Sequence, residues 1–218
     1  RQAIQLPAAI TYSVLPLRPH SKRVAEMAHR AGKEVMLHLP MQALRSRYLG
    51  PVGLHEEMGR DHVVSALRQG LDDVPHVVGV NNHMGSRLTQ SPETMRWLME
   101  ELHCIGDLYF VDSRTDVRTV ARDIARDVGL ANAERDVFLD NELSGNYVRQ
   151  QFDRLIRQAR RHGSAIAIGH PHPETLAALA ELLPLLDAEG IQVVPVSQLV
   201  EQRKATQWLA CSSPLQTA

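Results

Sequence analysis

The chain is short of cysteine, of aromatic residues and of any excess of one charge, and each shortage removes a class of protein. Its two cysteines, Cys104 and Cys211, are too few for a disulfide framework and lack the spacing of a structural metal site. Phe, Trp and Tyr make up 4% of the residues, so a core must be built from Leu, Val, Ile, Ala and Met. The formal net charge is −1 with both signs interspersed. That balance lacks the basic patch of a nucleic-acid-binding domain, and no nucleic-acid partner is expected. No apolar run approaches the ~18 residues of a membrane span. No glycine-rich phosphate loop follows an apolar run, which argues against a dinucleotide site.

What the chain does have is eleven histidines and a regular alternation of apolar runs with amphipathic stretches. The runs at 9–15, 34–39, 77–80, 108–111, 137–139, 165–168 and 191–196 read as strands. Helical spacing joins Ser21 to Gly32, extends from Asp61, and runs from Ser91-Pro92-Glu93 to Gly106. Further helices are predicted over 117–128, over 147–162, and from Pro173 to Gly190 with a kink at Pro184. Residues 41–60, with Gly50, Pro51, Gly53 and Gly59, read as a long loop, of the kind that is often functional. Residues 203–218 lose periodicity and read as a loose tail, which leaves 1–202 as the domain. About seven strand–helix alternations predict a parallel sheet with right-handed crossovers. Polar residues at most strand ends favour a (β/α) barrel over an open doubly wound sheet.

The chemistry is expected at those strand ends. In SAIAIGHPHPET, residues 164–175, an apolar run buried on both faces breaks at Gly169, and Pro173-Glu174 starts a helix. His170 and His172 therefore sit in a loop after a strand. Other strand ends carry His38, Asn82 and His83, Asp112, and Asp140 with Asn141. In a barrel these ends converge on one mouth, where imidazoles and carboxylates make a first-row metal site, most readily zinc. Taken singly, each has a plainer role. His38 or His83 alone is a hydrogen-bonded loop residue, Asp112 or His172 caps the next helix, and Asp140-Asn141 makes a turn. His20, His29, His55, His62, His76, His103 and His162 read as surface residues, and Cys104 as a buried or half-buried free thiol.

The chain resembles the divergent polysaccharide deacetylases, a branch of the NodB-like carbohydrate esterase superfamily. The matching stretches, in the family's order, are TYSVLP at 11–16, GKEVMLHLPM at 32–41, VGVNNHMGSR at 78–87, FVDSRT at 110–115, VFLDN at 137–141 and IGHPHPET at 168–175. The resemblance implies a distorted (β/α) barrel and a divalent metal, usually zinc, that hydrolyses an acetyl group on a sugar polymer. It places His38 at the first position of a His-x-x-x-His metal motif whose second position is Gln42 here, and makes His83 the substitute ligand. It implies catalytic roles for Asp112 and His170, and substrate contacts for Asn82, Arg87, Asp140 and His172. The family's first strand carries an Asp-Asp pair, expected just before Arg1. The chain is therefore expected to be N-terminally incomplete, lacking that strand, or to be an inactive carbohydrate- or partner-binding member. The resemblance also implies export to the periplasm.

Overall fold

The run from Val35 to Met41 is buried at every position except His38, which is half-buried. A strand covered on both faces requires this. The computed structural model describes residues 2–45 and 49–212, with backbone alone over 205–212. In it this run is β2 of a five-stranded parallel sheet, with β1 Tyr12–Val14, β3 Val77–Met84, β4 Tyr109–Asp112 and β5 Asn132–Glu134 in the order β1-β2-β3-β4-β5. Two shorter strands, β6 Val137–Phe138 and β7 Ala167–Ile168, pair in parallel with each other. Among the described residues no ladder joins β5 to β6 or β7 to β1. The result is an α/β fold of seven parallel strands in a distorted, open barrel.

Crossovers are made by α1 Ser21–Arg30, α2 Arg60–Asp73, α3 Pro92–Ile105, α4 Ala121–Asp127, α5 Gly145–His162 and α6 Pro173–Leu182; α7 Val196–Ser212 follows them. Because side chains alternate along a strand, the sheet sorts its residues onto two faces. Val35, Leu37, Leu39, Val80 and Phe110 face outward into the main core with α1 to α4. Met36, Tyr109, Val111 and Ala133 face inward and meet Leu199 and Val200 of α7. Gly79 is inward as well, and the Tyr109 ring occupies the space where its Cβ would be.

A carboxylate closes the N-terminal end of the barrel. Glu34, just before β2, accepts the hydroxyls of Thr11 (2.8 Å) and Tyr109 (2.7 Å) and the N–H of Ser197 (3.2 Å). Burial pushes the Tyr109 phenol up, and the Glu34 charge adds to that. This single side chain ties the start of α7 to β4 and to the segment leading into β1.

Several expectations need correction. Residues 191–195 form no strand: the apolar run packs through Val194 and Val196 against the inner core, but has no ladder partner, and Pro195 lacks an N–H. The tail expected from 203 is helical as far as Ser212, and 213–218 lie outside the described residues. The helix expected over 117–128 is only α4; Val117 stands in the loop before it, 86% exposed. Cys104 is exposed. At Pro184 the helix ends rather than bends, since α6 stops at Leu182 and a 3-10 turn covers Leu183–Leu185. The strand β7 is half-buried rather than covered on both faces.

Candidate functional site

The two-residue period of a strand decides which polar groups reach the mouth. His38 shares the inner face of β2 with Met36, and Asn81 and His83 share the inner face of β3 with Gly79. The register sets His38 directly opposite Asn81. The Asn81 carbonyl oxygen can only accept, and it takes His38 Nδ1–H at 2.8 Å and the Ser13 hydroxyl at 2.7 Å. Its amide nitrogen donates to the Ser113 hydroxyl at 3.4 Å. With Nδ1 carrying the proton, His38 presents the Nε2 lone pair to His83 Nδ1, 3.1 Å away. Desolvation, with the neighbouring His83 and His170 adding to it, pulls the His38 pKa down to about 3 despite the Asn81 bond. His83 is lowered too, by burial first and then by the charges of His170 and Arg18. Both imidazoles are neutral at ordinary pH.

Across the mouth stands a pair of the opposite character. The Asp140 side chain is fully buried, while that of His170 is 45% exposed. Asp140 Oδ1 faces His170 Nδ1 at 3.1 Å, and Oδ2 accepts the His170 backbone N–H and the Thr175 hydroxyl, the latter at 3.0 Å. Burial pushes the Asp140 carboxyl up, but the bonds from His170 and Thr175 outweigh it and the net shift is downward. His170 is raised, chiefly by its bond to Asp140 and against the effect of burial. The charge of His170 also lowers the pKa values of His38 and His83. Its ring lies 5.5 Å from that of Phe138 and 5.9 Å from that of His172. Ligand atoms of Asp140, His170 and His172 lie within 4.8 Å of one another, a triad that could hold a metal ion.

Other expected site residues have been drawn into the scaffold. Asn82 and Asp112 fall on the outer parity, with Val80 and Phe110. Asn82 donates to Met84 O (2.7 Å) and accepts Ser113 N–H (2.8 Å), pinning β3 to the loop after β4. Asp112 is fully buried and accepts Arg114 N–H and the Thr119 hydroxyl, each at 2.8 Å. Burial raises its carboxyl. It holds the loop beside the mouth and does not face into it. Arg87 is exposed and makes a two-pronged pair with Glu56 at 2.6 and 2.8 Å. Gln42, the position matching the second motif histidine, accepts Glu56 N–H at 3.0 Å through its side chain and Arg87 N–H through its backbone. It pins the long loop. Asn141 is exposed and donates to the Tyr147 hydroxyl at 3.5 Å.

The mouth loops also carry backbone strain. Leu17, Met84 and Arg114, which follow or end β1, β3 and β4, all have positive φ (53°, 56° and 47°). Such residues persist where the surroundings over-determine them, commonly at functional sites. At Met84 the cause is visible: the bend aims its carbonyl at Asn82 Nδ2 and the Thr115 hydroxyl. Gly85 follows at φ +94°, and a Cβ there would sit 3.2 Å from Asn82, Met41 and Thr89. The sequence reading missed Ser13, Asn81, Ser113 and Thr175. Asn81 was within reach, because the residue two before an inward His83 must also point inward.

Comparisons with known proteins agree with this architecture. The family model for divergent polysaccharide deacetylase matches residues 1–200. The "Uncharacterized protein YibQ" of Escherichia coli (strain K12) is 40% identical over 201 residues, covering 92% of this chain and 62% of that protein. An "Uncharacterized protein" of Haemophilus influenzae is 36% identical over 202 residues, 91% of this chain and 70% of its own length. The chain thus spans about three fifths of the Escherichia coli relative. The crystal structure of uncharacterized protein ATU2773 from Agrobacterium tumefaciens C58 superposes with a TM-score of 0.85 at 25% identity, over 91% of this chain and 81% of that one. The chain belongs to the divergent polysaccharide deacetylase family.

Proposed function

We propose that this family member is a metal-dependent hydrolase that removes acetyl groups from a carbohydrate. One observation carries the reading: His38 Nε2 and His83 Nδ1 lie 3.1 Å apart, in a neutral pair facing a histidine that a buried carboxylate favours in its protonated form. Zn–N bonds of 2.0–2.1 Å in a tetrahedral shell set two imidazole nitrogens about 3.3 Å apart. The donor set therefore fits a divalent metal, zinc first, with His38 and His83 as its protein ligands. The Nδ1–H bond from His38 to Asn81 is the outer support that a ligating histidine commonly has. When bound, such an ion polarises a carbonyl and lowers the pKa of water.

The chain's own residues divide the remaining work. Environments that push neighbouring pKa values apart mark acid and base assignments, and here they separate His38 and His83 from His170. His170, oriented by Asp140 and Thr175, carries the proton to the leaving amine or alkoxide. That role is favoured over ligation by the Asp140–His170–His172 triad, because both Asp140 oxygens are already taken up in bonds to His170 and Thr175. His172, on the loop after β7, is the side chain assigned to meet the sugar. Asn82 and Asp112 act as positioning residues. The family supports carbohydrate as the substrate class and export to the periplasm as part of the same reading.

The test is acetate release from N- and O-acetylated oligosaccharides by zinc-loaded protein. His170→Ala should lower the rate by about 10²–10⁴ without loss of bound metal. Turnover that is indifferent to both zinc and His170 would overturn the reading.

A further inference from the structure

At the end of the sheet opposite the histidines, the N-terminal end of β5 borders a cavity of about 170 Å³. Its lining includes Arg122 and Arg126 of α4, Arg203 and Lys204 of α7, and the turn from Gly129 into β5. Among the described residues, four cationic side chains line it and no acidic one does, while Asp107 and Glu201 line the neighbouring cavity. A second cavity of about 360 Å³ adjoins it and shares Gly129, Leu130, Ala131 and Lys204.

The arginines are held from behind. Arg122 pairs with Glu134 at 2.7 Å, Arg126 with Asp123 at 3.1 Å, and Arg203 with Asp136 at 3.1 Å and the Ser164 hydroxyl at 3.1 Å. None of those acids lines the cavity. Each guanidinium has five N–H donors, so a single carboxylate fixes its orientation and leaves donors to spare. The backbone adds another. Phe110 N–H donates to Ala131 O and Arg135 N–H to Asp112 O, so odd-numbered peptides here turn toward β4. Asn132 N–H then turns to the open edge of β5, along which the cavity lies.

We propose that this cavity binds a phosphoryl group, carried by a soluble phosphate ester or by a phospholipid headgroup. Guanidinium forks match the paired oxygens of a phosphoryl group, and the donors that Glu134, Asp123 and Asp136 leave spare on Arg122, Arg126 and Arg203, together with the Lys204 ammonium, remain to meet them. The proposal does not rest on the hydrolase reading, since no residue is shared between the two sites.

The experiment is calorimetric titration of the protein with inorganic phosphate at constant ionic strength, set by chloride. The unchanged protein should bind saturably, and the double variant Arg126→Gln/Lys204→Gln should bind at least about tenfold more weakly. Both side chains are largely exposed and Arg126 pairs with Asp123 of its own helix, so the helical circular dichroism should be preserved. Lys204→Glu alone should also weaken binding, which guards against a folding defect in the double variant. Vesicles of phosphatidylcholine with and without phosphatidylglycerol separate the two sources. Retention only on the anionic vesicles, reversed by phosphate, assigns a headgroup, and phosphate binding without retention assigns a soluble ester. Equal affinity in the variants, equal competition by chloride, or absence of binding to both phosphate and vesicles would overturn the proposal.

Discussion

Asn81 stands opposite His38 in the β2–β3 register, and its Oδ1 accepts His38 Nδ1–H at 2.8 Å. This one bond fixes the His38 tautomer, and with it the direction of the Nε2 lone pair. Replacing Asn81 by Leu should leave the strands in place but free the ring to flip. Loss of such an outer partner typically costs 10–100-fold in metal affinity. Competition with a chromophoric chelator should show that drop, with circular dichroism unchanged. Affinity equal to that of the unchanged protein would mean that Asn81 does not orient the site.

What the sequence disclosed and what it hid follow from the same rules. Strand ends at His38, His83 and His170 were legible because apolar runs stop there. Parity is legible too: an inward His83 implies an inward Asn81 and an outward Asn82. Thr175 was hidden because its role depends on α6 packing beside Asp140, which no local pattern encodes. Strand β5 was hidden by its composition, since Asn132-Ala133-Glu134 has neither a β-branched residue nor an aromatic one. The opposite error came at 191–196, where β-branched residues suit a packed surface but find no ladder. β-propensity reports fit to a half-buried surface more than pairing.

Gly79 tests the inner face. A Cβ there would lie 2.4–2.7 Å from three Tyr109 ring atoms. The ring has little freedom to move, being 4% exposed and bonded through its hydroxyl to Glu34. Gly79→Ala should destabilise by about 1–3 kcal/mol through overpacking. Urea unfolding should show a lower midpoint with the same slope. An unchanged midpoint would mean that the ring moves aside freely.

The buried histidine should give the metal-free protein a pH signature. His38 titrates near 3 in the folded state because of desolvation and the nearby His83, and near 6.5 when unfolded. The unfolded chain binds the proton more readily between these values, so stability is full above about 6.5 and falls as pH drops toward 3. The slope from this group is at most about 1.4 kcal/mol per pH unit. His170 acts with the opposite sign. Its pKa is raised, chiefly by the Asp140 bond, so its contribution is full below the unfolded value and fades as pH rises through the folded one. Because its side chain is 45% exposed, solvent screens that part. Denaturation of unchanged and His38→Asn protein from about pH 4 to 8 should give a shallower acid slope in the variant. Parallel curves would place the acid sensitivity elsewhere.

The metal position can be decided between two clusters that share one mouth. His38 and His83 offer neutral nitrogens 3.1 Å apart, while Asp140, His170 and His172 offer ligand atoms within 4.8 Å of one another. The second group has the carboxylate, which ordinarily favours a divalent ion. That carboxylate, however, already accepts from His170 twice and from Thr175 once, which leaves a metal one of its roughly four acceptor sites unless a bond is given up. His38 and His83 need only exchange one weak N–H···N bond for the ion. His83→Ala should therefore abolish zinc binding, and His172→Ala should reduce it little. Elemental analysis and calorimetry on both variants, with circular dichroism to confirm folding, give the answer directly. Full zinc content in His83→Ala together with loss in His172→Ala would move the centre to Asp140, and would recast His170 from proton carrier to ligand.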